Sequence, residues 1–145
     1  MARILVVDDY PLMCRLCQVN LERAGHIVTA VQDGNVAFEI LQTLPYDLVI
    51  SDMIMPVCDG LQLYVKIRGN AETKHLPFLL YGGLSTAFVP GRKPASEMWF
   101  PSDPKATFLV APFRPSDLVM LANQLLNSGE KPNLLTLRSH DAIAA

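Results

Sequence analysis

Charge is scarce in this chain, and neither sign dominates. Lysine and arginine number 12 against 14 acids, charged residues make up 18% of the sequence, and the net charge is −2. Such a surface has no broad attraction for nucleic acid or an anionic membrane, so direct binding to either is not expected. Long apolar runs are lacking too. The run in "MARILVVDD" is too short for a signal-peptide core, and no stretch approaches the roughly 18 apolar residues of a membrane span. The expected compartment is the cytoplasm. Cysteine is sparse and odd in number: Cys14, Cys17 and Cys58 lie within expected elements, which excludes a disulfide scaffold and points to reduced thiols. "CRLC" has redox spacing, but it falls inside a helical pattern and not at the helix N-terminus that acidifies a thiol. "YGGLS" lacks the spacing and the lysine of a phosphate-cradling loop. His26, His75 and His140 stand alone, with no metal-ligand spacing or nucleophile–base pairing, and are expected at the surface.

What is present is apolar and rhythmic. Half of the 145 residues are hydrophobic, and a chain of this length buries roughly 70% of its unfolded surface without help from disulfides or metals. "RILVVDD" is a continuous apolar run ended by two acids, the pattern of a strand buried on both faces. A helix follows, with Pro11 in its first turn and Gly25 at its end. "HIVTAV" predicts a second strand, and "DGNVAFEILQTL" a second helix capped by Asp33. "DLVISD" is a third strand closed by an acid. The turn "MIMPVCDG" leads to a third helix, "LQLYVKIRG". "LPFLLYGG" and "TFLVAP" are strands four and five, and "RPSDLVMLANQLLN" is the last helix, with Ser116 or Asp117 near its cap. Strands alternating with helices imply right-handed βαβ units and a doubly wound parallel sheet.

Two segments break the rhythm. Between Gly82 and Lys105, the prolines at 90, 94, 101 and 104 leave room for at most a short helical turn. Phe88, Val89, Met98, Trp99 and Phe100 make this segment apolar. It is expected chiefly to cover the sheet, with Phe88, Trp99 and Phe100 as candidate interface residues on its outer side. The tail from Ser128 to Ala145 begins with helix breakers and is expected to be loosely held. The domain proper is therefore 1–127, with 84–105 as its atypical segment.

Chemistry gathers at the carboxyl ends of the strands, where doubly wound sheets form their crevice. Asp8 and Asp9 follow strand one, and Asp52 ends strand three. If those strands are neighbours, three carboxylates share one small volume and raise one another's pKa values unless a cation intervenes. A hard divalent ion with oxygen ligands, Mg²⁺ above all, is the natural relief. "VVDD" at Val6 to Asp9, "SDMIMPVCDG" at Ser51 to Gly60 and "FLVAPF" at Phe108 to Phe113, in this element order, resemble the response-regulator receiver domain of two-component signalling. The resemblance spans roughly residues 3 to 127 and implies a flavodoxin-like strand order of 2-1-3-4-5. It implies Asp52 as phosphoacceptor, with Mg²⁺ held by Asp8, Asp9, Asp52 and the backbone carbonyl of Ile54. Pro56 and Gly60 would shape the loop into helix three, Phe108 would stand at a switch-aromatic position, and Ala111–Pro112 at a position that often carries a cis peptide. The implied partners are a sensor histidine kinase or phosphotransfer protein and a downstream protein.

The sequence departs from that family at two places. A lysine that contacts the phosphoryl group is replaced by Ala111, and the strand-four serine or threonine by Gly82, with Gly83 after it. Three ionised aspartates against one Mg²⁺ leave a net charge of about −1, which the lysine would have cancelled. Slower phosphorylation and weak coupling are expected, since a switch needs contacts that differ between its states. Ser85, Thr86, Arg92, Lys93 and Lys105 are the available replacements. The reading is a stand-alone receiver, not an enzyme beyond Mg²⁺-dependent self-phosphorylation, with output through protein contacts. The alternative is a pseudo-receiver scaffold that acts without phosphorylation.

Overall fold

The computed structural model describes residues 1–83 and 100–131. Five strands, β1 (Arg3–Val7), β2 (Ile27–Val31), β3 (Leu48–Asp52), β4 (Phe78–Gly83) and β5 (Ala106–Ala111), form one parallel sheet in the order β2-β1-β3-β4-β5. Four helices are described: α1 (Pro11–Arg23), α2 (Gly34–Thr43), α3 (Gly60–Arg68) and α4 (Pro115–Ser128). The strands are apolar on both faces because helices cover both. Leu5, Val7, Val49, Phe78, Leu80 and Phe108 point to the side of α2 and α3, where Ala37, Leu41, Leu63 and Ile67 meet them. Ile4, Val6, Leu48, Ile50, Leu79 and Tyr81 point the other way, onto Cys17 and Leu21 of α1 and Leu118, Leu121 and Leu125 of α4.

Local chemistry sets the helix ends. The Asp33 carboxylate accepts from the Asn35 and Val36 N–H groups at 2.6 and 3.3 Å, capping α2 as expected. Asp59 and Gln62 form a reciprocal capping box on α3. For α4 the N-cap is Arg114 and Pro115 opens the helix, while Asp117, expected near the cap, reaches back to accept from the Arg114 N–H at 3.1 Å. Pro115 suits the first helical position, where an N–H would have no partner within the helix.

Three expectations are corrected. Phe100 is 2% exposed and packs against Tyr64 and Phe78 at centroid distances of 4.7 and 6.3 Å, so it covers the sheet and is not an interface anchor. His26 is not a free surface residue. Its Nδ1 accepts from the Ala2 N–H at 3.3 Å, which leaves Nε2 protonated to donate to Asn123 Oδ1 at 2.8 Å. The start of the tail is held: Lys131 donates its N–H to the Pro104 carbonyl at 2.6 Å and its Nζ to the Phe100 carbonyl at 2.5 Å. Phe88, Trp99 and most of the 84–105 segment, with the tail from 132 to 145, lie outside the described residues.

Candidate metal centre

Asp8 and Asp52 are brought together by the pairing of β1 with β3. Val7 is in register with Ser51, so the next residue of each chain leaves the sheet at the same edge. Alternation along the strands places Asp8 on the face of Val6 and Asp52 on that of Ile50. The chain then turns into α1, and the Asp8 Oδ1 accepts from the Tyr10 N–H at 2.8 Å. Asp8 is buried, Asp52 half-buried and Asp9 exposed. One carboxylate oxygen from each lies within 4.8 Å of the other two.

Crowding and burial show in the titration of these groups. Burial pushes the Asp52 carboxyl up to about 6, the Asp8 charge adds to the rise, and the nearby backbone of Ile54 and Met53 pulls the other way. Asp8 is likewise raised, by burial first; donors from Tyr81 and Tyr10 oppose the rise and the Asp9 charge reinforces it. A donor set made only of carboxylate oxygens suits a hard divalent cation, and the compact cluster fits one.

The loop from Met53 to Gly60 leads from Asp52 into α3 and packs back on the Asp52 backbone. Its ends are joined by the Gly60 N–H, which donates to the Met53 carbonyl at 3.0 Å. A Cβ on Gly60 would stand 2.3 Å from the Asp52 carbonyl oxygen and 2.4 Å from Leu80 Cδ1. Only glycine lets the start of α3 approach β3 this closely. Pro56 is exposed in this loop, and Val57 after it has a φ of 67°.

The remaining expected positions lie along β4 and β5. Gly82 is buried and in register with Val110, and Gly83 with Ala111. Ala111 closes β5, and the Ala111–Pro112 peptide bond is cis. Phe108 is 5% exposed and faces the α2 and α3 side of the core. The cysteines are free and buried; burial pushes Cys17 up to about 12, so this thiol is not a redox nucleophile.

Sequence reasoning passed over Tyr81. It is 3% exposed, in register with Asp52, and donates its hydroxyl to Asp8 Oδ2. The signal was available: a tyrosine in a strand covered on both faces has to deliver its hydroxyl to an acceptor.

A doubly wound α/β domain with an acidic crevice at the carboxyl ends of its strands is the class that fold and site define. The response regulator receiver domain matches residues 4–89. Protein RcaC of Microchaete diplosiphon is 28% identical over 127 residues, covering 88% of this chain and 18% of that protein. The DNA-binding dual master transcriptional regulator RpaA of Synechocystis is 33% identical over 84 residues, 58% of this chain and 35% of that protein. The chain thus spans well under half the length of these relatives. Chemotaxis response regulator CheY4 of Vibrio cholerae superposes with a TM-score of 0.72 at 28% identity, covering 87% of this chain and 99% of that one. The chain belongs to the response regulator receiver domain family of two-component systems. Among the described residues no helix is long and apolar enough to cross a membrane.

Proposed function

We propose that this chain is the phosphoacceptor module of a two-component relay, with Asp52 as acceptor and a sensor histidine kinase or phosphotransfer protein as donor. One observation carries the reading: carboxylate oxygens of Asp8, Asp9 and Asp52 lie within 4.8 Å of one another at the open edge of the sheet. Asp8, Asp9, Asp52 and the Ile54 carbonyl would hold Mg²⁺. The bound ion supplies the positive charge that lets an anionic phosphoryl group approach an anionic carboxylate. The Asp52 carboxylate forms an O–P bond in line with the breaking bond to the donor, whose electron pair leaves with the donor nitrogen. Tyr10, Ile54 and Val57 on the two loops that follow the acids, and Leu12 in the first turn of α1, are exposed apolar side chains, in keeping with a protein donor. The chain acts as an acceptor and signal carrier in the cytoplasm, not as a turnover enzyme, and a downstream protein partner reads its state.

Gly82 and Ala111 favour a second reading. Neither offers a hydroxyl or an ammonium to a phosphoryl group on Asp52, so the usual differential contacts between states cannot form there. A pseudo-receiver that binds its partner regardless of phosphorylation follows from the same pocket. Purified protein given Mg²⁺ and acetyl phosphate or beryllofluoride separates the two. We expect a gain of one phosphoryl group by intact mass, lost in Asp52→Asn. A chain that gains no mass and shows no Asp52-dependent spectral change is a scaffold.

A further inference from the structure

Tyr81 has its ring in the core and its oxygen in the acid pocket. It stands on β4 in register with Asp52 on one side and Leu109 on the other. The Phe113 ring meets it edge-on, with centroids 5.6 Å apart. On that face it shares an apolar cluster with Ile50, Leu79 and Leu118, and the Cys17 thiol lies beside its hydroxyl. Phenylalanine would pack there as well, and a phenol buried in such company is costly unless its hydroxyl is used.

The hydroxyl is used on Asp8. With Oδ1 taken by the Tyr10 N–H at 2.8 Å and Oδ2 by Tyr81, each oxygen of this 2% exposed carboxylate has a donor that fixes its direction. Asp9, in contrast, is exposed. Among the described residues no ion pair joins a cation to Asp8, Asp9 or Asp52. Orientation of the buried ligand therefore falls to neutral donors, and Tyr81 comes from a different strand than the acids it serves.

The geometry points to Tyr81 as a positioning residue of the pocket, whose hydroxyl holds Asp8 in the rotamer that meets a divalent ion together with Asp9 and Asp52. This role rests on the Mg²⁺ site proposed above. Donors behind a ligating carboxylate commonly govern metal affinity by about 10- to 100-fold.

Tyr81→Phe keeps the ring and removes the donor. Isothermal titration of the purified chain with Mg²⁺ is expected to show affinity lower by about tenfold or more, with far-UV circular dichroism unchanged. A packing role alone would leave the affinity where it was and move only the melting temperature. Equal affinity in Tyr81→Phe and the unmodified chain overturns the positioning role while the Mg²⁺ site stands. No Mg²⁺ binding by the unmodified chain overturns the site itself, and this inference with it. If Tyr81→Phe fails to fold, the unmutated chain carrying ¹³C-labelled tyrosine takes its place. The Tyr81 ring signals should then move with the Mg²⁺ binding curve, and signals that stay fixed through saturation overturn the role.

Discussion

Val57 and Gly60 sit three residues apart in the loop behind Asp52 and have opposite relations to their backbone. Val57 adopts a φ of 67°, a region that a β-branched side chain occupies only under strain, and it is 82% exposed, so little packing offsets the cost. Val57→Asn should stabilise the domain by about 1 kcal/mol, because asparagine tolerates the left-handed region. A melting temperature raised by about 3 °C is the expected reading, and no rise would show that the loop is unstrained. Gly60→Ala works in the other direction. Its methyl would overlap the Asp52 carbonyl oxygen at 2.3 Å, and overpacking of this kind costs about 1–3 kcal/mol. Because the clash is with the backbone of Asp52 itself, Mg²⁺ affinity should fall along with the denaturation midpoint.

Between β4 and β5, the described residues 100–105 are clasped to α3. Phe100 lies over Tyr64 and Phe78. The Asp103 carboxylate accepts from the Tyr64 hydroxyl at 2.5 Å and from Arg68 Nε at 2.8 Å, while Arg68 Nη1 donates to the Leu76 carbonyl at 2.7 Å. Burial alone would raise the Asp103 carboxyl, but the donors from Tyr64, Arg68 and the Lys105 N–H outweigh it and hold it below the ordinary 3.8. A carboxyl lowered by folding contributes stability above its unfolded value and loses it as pH falls through the folded one. Asp103→Ala leaves Arg68, whose side chain is 18% exposed, without its counter-charge, at a cost of about 1–3 kcal/mol at neutral pH. The gap between this variant and its parent should narrow as pH drops below 3.8, as urea melts at a series of pH values would show. A constant gap would mean that packing, and not charge, holds the clasp.

For the whole molecule the acid pocket works against stability until it is filled. The Asp52 carboxyl is raised from 3.8 to about 6, so between those values the folded chain binds more protons than the unfolded one. Stability conferred by that proton is present below 3.8 and is lost as pH rises through about 6. Asp8, raised as well, adds in the same direction. The metal-free protein should therefore melt at a lower temperature at neutral pH than near pH 4, and Asp52→Asn should flatten much of that slope. Mg²⁺ binds the folded state and should restore the neutral-pH loss in proportion to its concentration. Calorimetric scans with and without Mg²⁺ measure both effects, and a melting temperature indifferent to pH in this window would refute the crowding of the acids. The Asp103 clasp acts in a lower window, so the two dependences separate. Much of this was legible in one dimension. Apolar runs ended by acids mark strands covered on both faces, helical spacing marks the faces that bury, and Asp8, Asp9 and Asp52 with their flanking motifs mark the site. These are local signals, because burial imposes a period on neighbouring residues. Only the tertiary structure decided that Tyr81 holds Asp8 from 73 residues away, that Asp103 meets Arg68 and that His26 joins Asn123. Those pairings depend on strand register and on where turns return the chain, and no local period records either.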